Sequence, residues 1–103
     1  MTINIQYQNM PESDSLSTIV TQKLDKLAYK YPSLIRCDVV FKMGNSSDGL
    51  DNICEMEISA PGPRVFAKSI ESNFEKAAAI TIDELERMLR KRKDKLNKRK
   101  RAV

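Results

Sequence analysis

The sequence predicts an α+β fold: a two-layer β-α-β-β-β-α unit, a four-stranded sheet with two helices packed on one face. Three observations predict it. Short runs alternate apolar and polar residues with a period of two, whereas two longer segments repeat their apolar positions every 3.6 residues. The order of these runs is strand, helix, three strands, helix. At 103 residues, the chain is long enough for a single modest core and too short for two, so residues 1–103 read as a single domain.

In "TINIQYQ", Ile3, Ile5 and Tyr7 alternate with Asn4, Gln6 and Gln8, the pattern of a half-buried strand. Pro11 and a Ser/Asp cluster then open a helix, with Ser13 or Asp14 able to accept from its first free N–H groups. Leu16, Ile19, Val20, Leu24, Leu27, Ala28 and Tyr31 make its apolar face, and Pro32 ends it. "IRCDVVFKM" puts Ile35, Cys37, Val39, Phe41 and Met43 on one side. After the polar turn "GNSSDG", "ICEMEI" opposes Cys54, Met56 and Ile58 to Glu55 and Glu57. The two runs read as a hairpin with a longer loop, its register setting Cys54 opposite Val40 or Phe41. "APGP" turns the chain into a short fourth strand, "RVFAKS". The last helix begins at "SNFE", where Ser72 and Glu75 have capping-box spacing. From Ser72 to about Lys100 it would extend roughly 43 Å, which exceeds the width of so small a domain. An antiparallel sheet with one wet face is the natural partner for the two helices.

Composition narrows the function. Hydrophobic content of 41% with 31% charged residues is that of a globular chain, not a disordered one. No apolar run approaches a membrane span of ~18 residues, and the first residues lack the form of a secretory signal, so a cytoplasmic protein without membrane partners is expected. There are no histidines, and Cys37 and Cys54 form no CxxC pair, so neither metal nor cofactor is expected. Both cysteines read as small buried residues, too far apart for a disulfide. Three glycines cannot build a phosphate loop, and Glu55 and Glu57 read as the exposed side of a strand. No catalytic residues and no small-molecule substrate follow, and the chain does not read as an enzyme.

Charge is distributed unevenly. Residues 1–86 carry 8 Lys/Arg against 13 Asp/Glu, net −5, whereas residues 87–103 carry 10 Lys/Arg against Asp94 alone, net +9. A basic end of this density, at about 87–101, exceeds what helix capping or solubility requires and points to a polyanion. Arg87, Lys91, Lys95 and Lys98 follow one helical stripe with Arg90 at its border, while Arg92 and Lys93 carry charge round the other sides. On the first helix, Lys23, Lys26 and Lys30 lie beside the apolar face, so exposed ridges of the two helices could flank one basic groove. The outer sheet face, with Asp38, Glu55 and Glu57, lacks an aromatic platform for stacking bases. Recognition is therefore expected through phosphates and shape, by the helices.

The element order, the closing "LERMLRKRKDKLNKR", the opening "INIQYQNM", the helix ending "VTQKLDKLAYKYP" and the segment "ISAPGPRVFAKS" resemble the ribosome hibernation-promoting factors. That family is also called the ribosome-associated inhibitor or sigma-54 modulation protein family. The most specific part is Arg92-Lys93-Asp94-Lys95-Leu96. The resemblance implies a fold similar to double-stranded-RNA-binding domains and docking on the small ribosomal subunit, in the channel for messenger RNA and transfer RNAs. Such a factor would silence translation during stress or stationary phase. Family positions facing ribosomal RNA map to Lys23, Lys26, Arg87, Arg90, Lys91, Lys93 and Lys95. The run "FEKAAAITID" departs from the family's usual aromatic followed by "AAID", which bears on local packing. The chain resembles the short class, without a dimerisation domain, and is expected to be a monomer away from the ribosome.

Two other readings stay open on the residues alone. One is a general structured-RNA-binding module; the double-stranded-RNA-binding family carries its key lysines at the start of the last helix, where this chain has Ser72, Asn73, Phe74 and Glu75, which argues against it. A protein-interaction module docking its basic helix on an acidic partner is compatible with the composition.

Overall fold

A computed structural model describes every residue except Ser46, Ser47, Gly49, Ala102 and Val103, and every side chain among these except those of residues 97–101. The elements are β1 (Thr2–Gln8), α1 (Asp14–Lys30), β2 (Arg36–Met43), β3 (Asn52–Ser59), β4 (Val65–Glu71) and α2 (Phe74–Arg101). This is the predicted β-α-β-β-β-α order. The strands form one sheet in the order β1-β2-β3-β4.

The sheet is mixed, which corrects the expectation of an antiparallel one: β1 runs parallel to β2, and the two later pairs are antiparallel. Parallel neighbours need a crossover connection, and α1 supplies it. In the β2–β3 hairpin Phe41 faces Cys54, within the predicted register. Part of its loop, at Ser46, Ser47 and Gly49, lies outside the described residues. Gly44 closes the hairpin by donating its N–H to the Asp51 carbonyl at 2.8 Å. A Cβ there would stand 2.6 Å from that of Asp51, so the approach demands glycine.

Both helices cover one face. α2 lies over β3 and β4, and α1 packs beside α2 and against β1. Val20, Leu24, Cys37, Val39, Phe41, Cys54, Met56, Ile58, Ala77, Ala78 and Leu85 are fully shielded between the layers. Each large apolar side chain so buried stabilises the fold by about 1.5–3 kcal/mol. Phe41 stacks on Tyr7 at 5.5 Å and meets Phe74 edge-on at 5.8 Å, joining sheet to α2. The Tyr7 hydroxyl donates to the Ser13 carbonyl at 2.8 Å and lies 2.6 Å from the Ser17 hydroxyl, pinning the start of α1 to β1. Thr81, buried in α2, is satisfied by the Ala77 carbonyl at 2.7 Å. Ile35 and Met43, expected with the inward set of β2, are exposed because they stand before the strand and at its end.

The caps follow chain chemistry. Ser13 accepts from the Leu16 N–H at the start of α1, as its sequence suggested. At α2 the capping box does not form. The helix begins at Phe74, so Asn73 is the cap and its Oδ1 accepts from the Lys76 N–H at 2.8 Å. Glu75 then falls one position early for a reciprocal bond, and Asn caps as well as Ser.

α2 has 28 residues, about 42 Å of helix, in a molecule measuring 56 × 22 × 18 Å. Among the described residues its last buried one is Leu89, and beyond it Leu96 is 54% exposed. Among the described residues no helix is long and apolar enough to cross a membrane.

Candidate nucleic-acid interface

α2 changes character at Leu89, because past that point no apolar side chain among the described residues is buried in the core. The projecting turns carry Lys91, Arg92, Lys93, Lys95 and Leu96, and the side chain of Lys98 lies outside the described ones. Among the described residues Lys91 and Lys95 make no ion pair, and neither do Lys23 and Lys26 on α1.

Other predicted cations have partners inside the molecule. Arg87 forks onto Glu84, with Nη2 at 2.7 Å from both carboxylate oxygens. Lys30 donates to Glu86 at 2.9 Å across the helix pair, and Arg90 reaches the same oxygen at 3.6 Å. The Lys30 hydrogen bond holds the Glu86 carboxyl below the usual carboxylate range. Arg92 donates to the Pro63 carbonyl at 2.5 Å, fastening α2 to the Pro-Gly-Pro turn, and Lys93 lies 6.0 Å from the centre of the Tyr31 ring. That turn needs Gly62, whose φ is +98°. Exposed ion pairs contribute only about 0.2–1 kcal/mol, so a phosphate can displace them.

The groove between the helices differs from the expected one. Lys23, Lys26 and Lys30 line its α1 side, but α2 contributes Asp83 and Glu86, so the cavity of about 330 Å³ carries both signs. Positive charge with Asp94 as its single acid gathers further along α2. Lys30 joins the two regions, because it also borders a second hollow at the C-terminal end of α1.

The outer sheet face neutralises itself. Arg36 pairs with Asp38, Lys42 with Glu55 and Arg64 with Glu57. Phe66 is the single aromatic on that face among the described residues, which is no stacking platform.

Tyr29 escaped the sequence reading. It is 88% exposed on α1 between Lys26 and Lys30. Its signal is in the chain: an aromatic off the apolar stripe, among lysines. Glu84 and Glu86 as counter-charges were half legible, from their i,i+3 and i,i+4 spacing to Arg87 and Arg90. The Lys30–Glu86 pair, 56 residues apart, was not. Both cysteines are free and buried, and burial pushes each thiol up to about 12. No group of three or more His, Cys, Asp or Glu among the described residues could hold a metal ion.

This geometry has close counterparts. A ribosomal subunit interface protein from Coxiella burnetii superposes with a TM-score of 0.82 at 20% identity, over 91% of this chain and 99% of that one. The N-terminal domain of Protein Y from Thermus thermophilus gives 0.76 at 20% identity, over 88% and 98%. At such identity these likenesses speak for the fold. No curated protein sequence matches significantly. The family described as sigma 54 modulation protein / S30EA ribosomal protein matches residues 3–97. With nearly the whole chain matched, from the first strand into the basic run of α2, the protein belongs to that family of non-enzymatic, ribosome-associated translation regulators.

Proposed function

We propose that residues 1–103 act as one ribosome-binding domain that docks on the small subunit, in the channel for messenger RNA and transfer RNAs, and holds translation silent during stress or stationary phase. Family membership supports the ribosome as the target. The observation that carries the interface is the projection of α2 beyond Leu89, with Lys91 and Lys95 making no ion pair among the described residues. Lys23, Lys26 and Lys30 on α1, with Arg87, Arg90, Lys91, Arg92, Lys93, Lys95 and Lys98 on α2, form the contact surface. Arg87 and Arg90 exchange Glu84 and Glu86 for phosphates, and Arg92 keeps its hold on the Pro63 carbonyl while adding charge. Recognition is of phosphate position and helix shape. Away from the ribosome the protein is a monomer in the cytoplasm.

Sedimentation of a lysate through a sucrose gradient tests this. Wild type co-migrates with small subunits or whole ribosomes, and the combined Arg87→Glu, Lys91→Glu and Lys95→Glu variant stays at the top. With about six phosphate contacts, affinity falls on the order of a thousandfold between about 50 and 200 mM salt. Equal retention on free duplex RNA would favour a general RNA binder, and salt-insensitive capture by one protein a protein-interaction module.

A further inference from the structure

A hollow of about 510 Å³ opens where α1 ends and α2 leaves the body. Its walls are Tyr31, Leu34, Ala60, Pro61, Leu89 and Leu96. Of the three hollows described, this one alone has cations and no acid in its lining: Lys30, Arg92 and Lys93. It lies between the α1 lysines and the basic run of α2, so a polyanion spanning both must cross its mouth.

Three further observations indicate what fits. Leu96 stands alone in a cationic run with no core to bury it, yet it falls seven residues after Leu89, on the same side, and both line the hollow. Lys93 lies over the Tyr31 ring, and both residues line the hollow, the ring being only partly buried against the core. Arg92, which also lines the hollow, is held by the Pro63 carbonyl, fixing a positive charge at the rim. Apolar walls, a partly exposed aromatic ring and a cationic rim match the needs of one unstacked nucleotide. Its base buries flat apolar surface and offers acceptors at the edge, while its phosphates stay at the rim. The volume lies in the ~300–1,000 Å³ range of small-ligand sites.

We propose that this hollow receives a single unstacked base of ribosomal RNA, stacked against Tyr31 with its flanking phosphates on Lys30 and Lys93. The proposal rests on the ribosome-binding reading above. It adds to the phosphate contacts of the helices one contact that is largely indifferent to salt. Lys93 moves from the ring to a phosphate as the base enters.

Ala60→Trp tests it by filling the hollow without touching a cation. The folded variant, verified by its circular dichroism and thermal melt, binds purified small subunits on the order of tenfold more weakly, because one stacked base is lost. Its slope of log affinity against log salt falls by no more than about one, the Lys93 contact, because the other phosphate contacts are intact. Ultraviolet cross-linking of the wild-type complex, followed by mass spectrometry, finds a nucleotide on the peptide containing Tyr31; this decides the matter if Ala60→Trp does not fold. A folded Ala60→Trp protein that binds like wild type, or a Tyr31 peptide bearing no nucleotide, overturns the proposal. If Lys91→Glu with Lys95→Glu abolishes binding while Ala60→Trp does not weaken it, the hollow is idle and the ribosome reading stands. Wild type that ignores purified subunits refutes both.

Discussion

Glu86 holds Lys30 from the other helix and Arg90 from its own, so one carboxylate masks two cations of the proposed interface. Glu86→Gln keeps the shape and removes the charge. Binding to small subunits should tighten several-fold at low salt, since Lys30 and Arg90 no longer give up a carboxylate to reach phosphate, read by sedimentation across a salt series. Thermal stability should fall by less than about 1 kcal/mol, since the pair is largely solvated. The acid response has a definite sign. Because the folded Glu86 carboxyl sits below its ordinary range, its contribution is whole above that range and is lost as pH falls through the lowered value. Asp38, held low mainly by its hydrogen bond from Arg36, behaves alike. No histidine exists, and burial raises Cys37 and Cys54 to about 12. Melting temperature and ribosome affinity should therefore be flat from about pH 6 to 8. A marked step within that window, in either measurement, would contradict this account. The same burial should leave both thiols unreactive to alkylating reagents until the protein is denatured, which mass spectrometry can count.

At the scale of elements, alternation and helical periodicity were enough to read all six in order, because each buries one face and that face shows as a period. Pairing direction was less legible. Alternation in "TINIQYQ" says which residues point inward but not which way the strand runs beside its neighbour, so the parallel β1–β2 pair emerged only from the structure. Register in the β2–β3 hairpin was readable because a loop of known length leaves little choice. The α2 start shows where local motif and structure part. Ser72-x-x-Glu75 satisfies a pattern, yet one residue on, Asn73 satisfies the geometry. Asn73→Ala should therefore cost about 1 kcal/mol, a melting shift of roughly 4–8 °C for a domain of this size, while Ser72→Ala should be nearly silent. Reversed effects in paired thermal melts would restore the capping box.

For the whole molecule, the charge asymmetry was plain in the sequence, whereas the placement of charge was not. That α2 outruns its core follows from counting residues, but the acids facing the α1 lysines and the hollow beside Leu96 depend on how two helices 40 or more residues apart settle against each other. A consequence separates stability from binding along one helix. The buried set ends at Leu89, and Arg92 makes the last hydrogen bond to the body among the described residues. A chain ending at Asp94 keeps both, and loses Lys95, Lys98, Arg99, Lys100 and Arg101 together with Leu96. Since Leu96 is 54% exposed, its removal forfeits little burial, and shedding neighbouring like charges relieves repulsion along the helix. The truncated protein should melt within a few degrees of wild type and yet fail to travel with small subunits. If it melted far lower, the projecting turns would be part of the fold. If it bound as tightly as the full chain, the α1 lysines and the first turns past Leu85 would carry the ribosome contact alone. Measuring both quantities on the same preparation distinguishes a helix built for stability from one whose last turns exist for an external polyanion.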